Sequence, residues 1–235
     1  MNHSFSNRLF LVPLFQGFSR LDFLDIVGKT RFDFHTLPNR ATVVRQGDEC
    51  LELTIILGGQ CRTVYHEPSG LFTLEEMEEA PLVVQPERLF GLRNSYTQTF
   101  EAVGTVQTVT LSKQSLLNLF AQHTAMQINF ANMVCTSAQL SDQWAKAAFP
   151  RTPAARLALF MQTHCRRPAG HKVLRAKMVD LAAYLSMRRL VLSDLLVRLK
   201  QREVITYSRG IMQVPSCAAL LAALMEIDRE QGAKE

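Results

Sequence analysis

The sequence predicts an α+β protein with a β-rich amino-terminal part and a helical carboxyl-terminal part. Three observations support this fold class. Short runs of β-branched and aromatic residues recur between residues 31 and 111, at a spacing of roughly 8–12 residues. Residues 112–147 contain neither proline nor glycine. Residues 178–205 hold two apolar stripes that repeat with the period of a helix.

The chain is predicted to form a first helix within residues 13–30. Phe15, Phe18 and Leu21 begin a set of apolar residues at helical spacing. Ser19 followed by Asp22 is a variant of the capping box, in which two residues bind free backbone N–H groups at a helix start. We expect this helix to pack against the strands that follow it.

Residues 31–111 are predicted to fold as a β-sandwich, jelly roll or small barrel. Turn signals that contain glycine separate the β-prone runs, at residues 46–48, 58–59 and 68–70 among others. The acidic run at residues 75–79 is expected to be a solvated segment between strands.

Residues 112–147 are predicted to form one helix on the order of 50 Å long, at about 1.5 Å per residue. A helix of that length with one apolar seam and few charges is typical of a parallel coiled-coil dimer. The alternative is a helix that packs wholly on its own β-domain. The candidate dimer contacts are Phe120, Phe130, Val134 and Ser137.

Residues 178–205 are predicted to form a helix-turn-helix, because two apolar stripes flank a short polar break at residues 186–188. The stripes consist of Met178, Leu181, Ala182 and Leu185, then Leu192, Leu195, Leu196 and Leu199. In this motif the second helix leaves its outer face free to enter a DNA major groove. A β-hairpin with Gly210 in its turn follows as a wing, and Ser216 caps a last helix. Two prolines within residues 149–153 predict a hinge before the motif.

The formal net charge of +5 conceals an asymmetry between the two parts of the chain. Residues 1–147 carry 11 Lys and Arg against 14 Asp and Glu, whereas residues 148–235 carry 15 against 7. The two parts therefore differ in net charge, at −3 and +8. A basic segment that also contains a helix-turn-helix points to a polyanion as its partner.

The sequence gives no sign of a membrane span, a signal peptide or a disulfide framework. No apolar run reaches the roughly 18 residues of a membrane helix. The five cysteines form no Cys-x-x-Cys pair, and their number is odd. We expect reduced thiols, no zinc cluster, no membrane partner and a cytoplasmic location.

Taken in order, these elements resemble the Crp–Fnr superfamily of bacterial transcription regulators, relatives of the cyclic-AMP receptor protein. The matching segments are residues 13–17, 45–48, 57–60, 89–91 and 178–205. The resemblance implies a cyclic-nucleotide-binding-like β jelly roll as sensor (residues 1–111), a dimerisation helix (112–148) and a winged helix-turn-helix (149–235). It also implies a homodimer on a palindromic operator in double-stranded DNA, with RNA polymerase and a small-molecule effector as further candidate partners.

The chain departs from this family where nucleotide-binding members hold their ligand. Leu92 takes the place of the glutamate that binds ribose, and Tyr96 takes that of the arginine that pairs with the cyclic phosphate. Because tyrosine cannot neutralise a phosphate as a guanidinium does, we expect no cyclic-AMP binding. The candidate residues for another effector are Leu92, Arg93, Tyr96 and Thr97. We expect no cofactor, because no cysteine cluster for iron–sulfur and no distinctive haem ligand is present.

The predicted recognition helix differs from that of the family in the same way. The family reads DNA with Arg-Glu-Thr and a second arginine, whereas here Leu190, Val191 and Asp194 follow the retained Arg189. We expect Arg189 to bind a guanine, Leu190 and Val191 to touch thymine methyl groups, and Asp194 to accept from cytosine N4. The candidates for base reading are Arg189, Leu190, Val191, Ser193 and Asp194. Those for phosphate binding are Lys177, Arg188, Arg198 and Arg209.

The sequence therefore predicts a DNA-binding transcription regulator. The alternative is a sensor or scaffold of the same fold that has lost specific DNA binding, since Leu190 adds apolar surface and Asp194 adds a negative charge. An enzyme is not expected. The β-domain is similar to a cupin-type jelly roll, but its metal-binding His-x-His…Glu…His set is absent.

Overall fold

A computed structural model describes residues 8–145, 150–166 and 170–232. The chain divides into two compact units, and each unit is built from two separate segments. The first unit takes Met1–Thr63 and Glu78–Leu140, and the second takes Val64–Met77 and Ser141–Glu235. The predicted α+β class is confirmed.

Antiparallel strands form the centre of the first unit. They are β1 (Asp33–Leu37), β2 (Thr42–Val44), most of β3 (Glu52–His66), β5 (Leu82–Val83) and β6 (Thr99–Ser112), whereas most of β4 (Phe72–Glu79) belongs to the second unit. β6 pairs with both β1 and β2, and β3 pairs with β5. The segment Val64–Met77 belongs to the second unit. It consists of the last residues of β3, the connecting turn and most of β4.

Helix α1 (Arg20–Lys29) closes on the core of the first unit. The predicted capping box is present, since the Ser19 hydroxyl accepts from the Asp22 N–H and the Asp22 carboxylate accepts from the Ser19 N–H. Phe23 and Ile26 are buried with Phe15, which precedes the helix in a short 3₁₀ turn. These residues join a core in which Phe100 of β6 is fully buried.

Two segments that were predicted to lie between strands are instead parts of strands. Residues 58–59 were expected to turn, but β3 runs through them without a break. Gly59 has a φ of +93°, and a Cβ there would lie 2.5 Å from the Thr105 carbonyl oxygen. The glycine is thus required by the close approach of a neighbouring strand rather than by a turn.

The acidic run at residues 75–79 lies within strand β4 and not in a solvated segment. Burial alternates along the strand, so that Glu76 and Glu78 are buried on the same face as Phe72 and Leu74. The expectation failed because a carboxylate can take an apolar position in a strand when a partner neutralises it.

The helix predicted for residues 112–147 is two helices, α2 (Lys113–Gln122) and α3 (Thr124–Ala145). His123 between them has extended backbone angles, and its N–H donates to the Leu119 carbonyl. The His123 carbonyl then accepts from the Met126 N–H, and its ring packs edge-on against Phe18. The absence of proline and glycine predicted an unbroken helix, because it carries no information on how the His123 side chain packs. Residues 146–147 lie outside the described residues.

The second unit contains the predicted helix-turn-helix and wing. Its elements are α4 (Pro153–His164), β7 (Lys172–Ala176), α5 (Met178–Tyr184), α6 (Arg189–Gln201), β8 (Thr206–Ser208), β9 (Ile211–Val214) and α7 (Cys217–Gly232). Of the predicted hinge, Phe149 lies outside the described residues. Thr152 caps α4 by accepting from the Ala155 N–H, and Pro153 stands at its first position.

Residues 64–77, the tip of the β3–β4 hairpin, are an integral part of the second unit. β4 pairs with β7 from Phe72↔Ala176 to Glu76↔Lys172, so that β4, β7, β9 and β8 form one antiparallel sheet. Phe72 and Leu74 are buried in the same core as the leucines of α6. The hairpin tip therefore supplies a strand and core residues to the unit that holds the helix-turn-helix.

A buried ion pair fixes this strand. Lys172 and Glu76 are both almost fully buried, with the ammonium nitrogen 3.2 Å from the carboxylate. Both oxygens of Glu76 also accept from the backbone N–H of Arg166, at 2.9 Å. One residue along, Arg175 pairs with Glu75 at 2.7 Å. Glu75 and Glu76 of the acidic run are thus paired with cations of the neighbouring strand β7.

Candidate nucleic-acid interface

The turn between α5 and α6 has a defined geometry. Ser186 adopts a left-handed conformation with a φ of 52°, and its N–H donates to the Ala183 carbonyl. Met187 donates to the Ala182 carbonyl, which completes the end of α5. Arg156 of α4 donates to the Ser186 carbonyl with its guanidinium and to the Pro150 carbonyl with its Nε atom. A side chain outside the motif therefore holds the turn that sets the angle of α6.

Helix α6 buries the face that the sequence predicted. Its buried residues are Leu192, Leu195, Leu196 and Leu199. They pack in the core of the second unit with residues of α4, α5, β9 and α7. The burial of this whole stripe leaves the opposite face of α6 to solvent.

The exposed face of α6 has an apolar and acidic centre. Leu190 and Val197 expose 76% and 51% of their surface, and Asp194 between them is also exposed. These three residues are spaced i, i+4 and i+7, so they form one ridge along the helix. At about 100° per residue, Arg189 and Lys200 fall on one flank of the ridge, and Arg198 falls on the other with Val191.

The basic residues near this face divide into paired and unpaired groups. Arg202 is held by α7, since its guanidinium lies 2.9 Å from Glu226 and 2.7 Å from Glu230. By contrast, six cations form no ion pair within the described part of the chain. They are Lys177, Arg188, Arg189, Arg198, Lys200 and Arg209. All four residues predicted to bind phosphate are in this unpaired group.

The sequence did not distinguish Arg202 from its neighbours, because the two glutamates that neutralise it lie on another helix. Lys200 was not chosen as a phosphate contact, although its charge and exposure equal those of Arg198. The helical period places Lys200 and Val197 on or beside the outward side of α6, and on this basis both residues could have been included in the candidate site.

The wing places Arg209 beside the start of α5. Arg209 and Gly210 both have positive φ angles, of 48° and 79°, as a two-residue hairpin turn requires. The Gly210 carbonyl accepts from the Ala176 N–H at 2.9 Å. Lys177 and Arg209 line one groove of about 290 Å³, together with Gly70 of the hairpin tip and Asp180. The structure thus brings these two predicted phosphate contacts together.

The four candidate effector residues are not brought together. Leu92 is fully exposed at 104% and Arg93 is exposed, whereas Tyr96 is buried in the core of the first unit. Burial raises the pKa of the Tyr96 phenol, which shares hydrogen bonds with Cys50 and Thr54. Thr97 is bound by Gln85, which donates to its hydroxyl and accepts from its N–H, each at 2.8 Å.

The four candidate dimer residues lie on the inner side of α2 and α3. Phe130 is buried in the core of its own unit, and Phe120 and Val134 are half-buried against that core. Ser137 donates its hydroxyl to the Met133 carbonyl. The outer side of α3 instead exposes Ile128, at 55%, and Cys135.

The described residues show neither a metal site nor a membrane span. No group of three or more His, Cys, Asp or Glu side chains among them could hold a metal ion. Within that same part of the chain, every helix is too short or too polar to cross a lipid bilayer.

Cys165 and Cys217 share a hydrogen bond, and that bond together with burial raises the pKa of the Cys165 thiol.

Comparison with known proteins shows the fold of this chain. No protein-family model and no curated protein sequence matches it. The catabolite activator protein of Thermus thermophilus matches over 90% of this chain and 97% of its own, with a TM-score of 0.50 and 19% identity. FixK2 from Bradyrhizobium japonicum matches over 83% and 97%, with a TM-score of 0.46 and 16% identity, which is too weak to support an argument. The resemblance drawn from the sequence is confirmed at the level of the fold.

Proposed function

We propose that this protein is a sequence-specific DNA-binding transcription regulator that acts as a homodimer. The observation that supports this function best is the charge distribution around α6. Among the described residues, four unpaired cations (Arg188, Arg189, Arg198 and Lys200) lie on or at the start of a helix whose exposed face carries no positive charge at its centre, and two more, Lys177 and Arg209, lie together beside α5 and the wing. Such an arrangement suits DNA, in which phosphates flank a groove of base edges. The shared fold with a protein named as a catabolite activator agrees with it.

The two groups of residues have different roles in this proposal. Lys177, Arg188, Arg198 and Arg209 bind phosphates and set the position of the protein on the duplex. Arg189 at the start of α6 binds guanine O6 and N7, and Asp194 accepts from cytosine N4. Leu190, Val191 and Ser193 complete the surface that meets the bases. Lys200 joins the phosphate-binding group because it is exposed and unpaired.

The proposed dimer forms through α3, in parallel orientation. The exposed Ile128 and Cys135 contact the partner, and Phe120, Val134 and Ser137 contribute the parts of their surface that remain exposed. Phe130 supports the helix from the core beneath it. Two-fold symmetry then places the recognition helices on half-sites about one helical turn of DNA apart, so the operator is a palindrome. RNA polymerase is the proposed partner of the bound dimer.

The domain roles follow the proposed dimer. The part of residues 1–111 outside the hairpin tip forms a sensor, and residues 112–148 form the dimerisation segment. Residues 149–235 bind DNA, and the hairpin tip at residues 64–77 supports them as part of the same unit. The effector of the sensor is not cyclic AMP, because Leu92 and Tyr96 stand where a carboxylate and a guanidinium would be needed. The protein acts in the cytoplasm of a bacterium and catalyses no reaction.

The salt dependence of DNA binding tests this proposal with a matched pair of variants. Arg198→Gln removes an unpaired cation, whereas Arg202→Gln removes one that Glu226 and Glu230 already neutralise. We expect R198Q to lower the slope of log K against log salt by about one per lost phosphate contact. R202Q should leave the slope unchanged. Gel shifts on random duplex and on selected operators measure both effects.

Arg189→Ala separates sequence reading from general affinity. We expect R189A to lose its preference for one guanine in each half-site while it keeps most of its binding to random duplex. Equal losses from R189A and R198Q would contradict the division of roles. Absence of any salt-dependent binding by the full chain would overturn the proposed function and favour a scaffold that has lost DNA binding.

A further inference from the structure

We infer that α6 recognises thymine through its C5-methyl group, with Leu190 and Val197 as the two side chains that contact it. Val197, which the helical period already places on the outward side of the helix, thereby takes the methyl-contacting role that the sequence suggested for Val191, which falls on a flank of the ridge. The inference rests on the proposed DNA-binding function, and it names the chemistry by which that function selects its sequence.

The geometry of α6 is the first reason. Leu190 and Val197 lie on the ridge opposite the buried leucines, and each exposes more than half of its surface, at 76% and 51%. An apolar side chain on the outermost line of a surface helix gains nothing from its own fold. Two of them on one ridge, seven residues apart, form an apolar surface that only a partner can cover.

The charges around the ridge identify that partner. Asp194 lies between the two apolar residues, and its carboxylate forms no ion pair or hydrogen bond within the described part of the chain. A carboxylate there repels phosphates, so the ridge faces base edges, while Arg189, Lys200 and Arg198 flank it on both sides. A protein or lipid partner would not require cations along both flanks of an apolar line.

The chemistry of the major groove then selects the base. Among the four bases, thymine alone presents a methyl group in that groove, and apolar side chains are its usual partners. Neither Leu190 nor Val197 can donate or accept a hydrogen bond, so neither can read a purine edge. The apolar ridge is therefore suited to thymine.

The spacing of the two residues predicts the spacing of the two thymines. Seven residues of helix advance about 10 Å at roughly 1.5 Å per residue. Successive base pairs rise about 3.4 Å along one strand, so this distance spans about three base-pair steps. We expect each half-site to contain two thymines separated by about that number of steps, with the contact of Asp194 between them.

Replacement of thymine by deoxyuridine tests the inference directly. The full-length protein is first used to select its binding site from random duplexes. Each thymine of the selected site is then replaced by deoxyuridine, which removes only the methyl group and keeps the hydrogen-bonding edge. We expect a loss of about fourfold in affinity for each contacted methyl group, at two positions per half-site.

Two variants assign the contacts to residues. In Leu190→Ala the loss of affinity caused by deoxyuridine should vanish at one of the two positions, because the thymine methyl group there no longer has a side chain to contact. In Val197→Ala it should vanish at the other position. Both side chains are exposed, so these variants are expected to fold. Met225→Ala, which removes an exposed apolar side chain of α7, is the control and should retain both effects.

The outcomes separate this inference from the function on which it depends. A selected motif that tolerates deoxyuridine at every thymine overturns the methyl reading and leaves the regulator intact. Deoxyuridine effects that persist in both L190A and V197A overturn the assignment to this ridge. A failure to enrich any motif, with no salt-dependent binding, contradicts the proposed function itself.

Discussion

At the scale of single residues, the second unit is organised around charges that lie where apolar side chains would be expected. Glu76 occupies a core position of β4, and Lys172 reaches it from β7. The carboxylate also accepts from the Arg166 N–H, which lies 90 residues further along the chain. Because each charge compensates the other, the pair holds β4 in register with β7, and neither partner can be removed alone without a large cost.

Lys172→Met should therefore destabilise the protein. The substitution removes the ammonium group that lies against the buried Glu76 carboxylate, and breaking such a buried pair costs roughly 3–5 kcal/mol in the free energy of unfolding. The double variant E76Q/K172M should recover most of this loss, since the glutamine oxygen still accepts from the Arg166 N–H. Urea unfolding of the three proteins measures the difference. Equal stabilities of K172M and the wild type would show that the pair is not buried.

His164 gives the second unit a pH-dependent stability. Its ring stacks on Phe160 at 4.6 Å and also contacts Phe72 and the rings of Tyr65 and Tyr184. Burial lowers the pKa of His164 below 6.5, against the opposing effects of the Phe160 carbonyl and Glu67. As the pH falls through the unfolded value, the unfolded chain takes up a proton that the folded chain does not bind. The free energy of unfolding therefore decreases with falling pH until the pH reaches the lowered pKa of His164 in the folded chain.

The replacement His164→Gln isolates this effect. Between about pH 7.5 and about pH 5.5, the wild type should lose more free energy of unfolding than H164Q does. His66→Gln, which changes an exposed histidine of the same unit, is the control. Parallel curves for wild type and H164Q would contradict the burial of a neutral imidazole.

At the scale of elements, the hairpin tip shows why the second unit is not a continuous segment of chain. Residues 64–77 come from the β-rich half of the sequence, yet they pair with β7 and enter the core around α6. The ring of Phe72 contacts four other rings, those of Tyr65, Phe160, His164 and Tyr184. The stability of the helix-turn-helix therefore depends on a strand encoded far from it.

Phe72→Ala tests this dependence against a control on the same strand. We expect a loss of roughly 3–5 kcal/mol in the free energy of unfolding, as for a large aromatic removed from a core. Hydrogen exchange should accelerate in α4, α5 and α6, although the substitution lies in the amino-terminal half. Met77→Ala removes an exposed side chain of β4 and should change stability by less than about 0.5 kcal/mol. Unchanged exchange in α5 and α6 of F72A would contradict the role of the hairpin.

At the scale of the whole molecule, α3 carries a surface that the single chain does not explain. Residues 124–141 contain no Asp, Glu, Lys or Arg. The inner side of the helix packs on its own core through Met126 and Phe130, while Ile128 and Cys135 remain exposed on the outer side. An exposed helix without charges usually lies at an interface, which is why we propose α3 as the dimer contact.

Oxidative cross-linking through Cys135 tests the parallel arrangement of two α3 helices. Around a two-fold axis the two Cys135 thiols approach each other, so mild oxidation should produce a covalent dimer of twice the 26.5 kDa chain. Cys135→Ser should abolish it, because Cys50, Cys61 and Cys217 are buried and the half-buried Cys165 shares a hydrogen bond with Cys217. A monomer in analytical ultracentrifugation would overturn the dimer. A dimer that Cys135 cannot cross-link would place the interface elsewhere.

Elements whose signals are local could be predicted from the amino-acid sequence alone. The capping box at Ser19, the leucine stripe of α6 and the wing turn at Gly210 depend on residues within a few positions of one another, so periodicity and turn chemistry predict them. From these elements and their order, the fold class and the position of the candidate DNA-reading helix could be inferred.

Features that depend on partners far along the chain became visible only in the folded protein. The burial of Glu76 requires Lys172, the neutralisation of Arg202 requires Glu226 and Glu230, and the break at His123 accompanies its contact with Phe18. A charge or a missing proline looks the same in the sequence whether or not such a partner exists. Burial is set by what the rest of the chain brings near, so only the structure shows how much of the ridge of Leu190 and Val197 stays exposed.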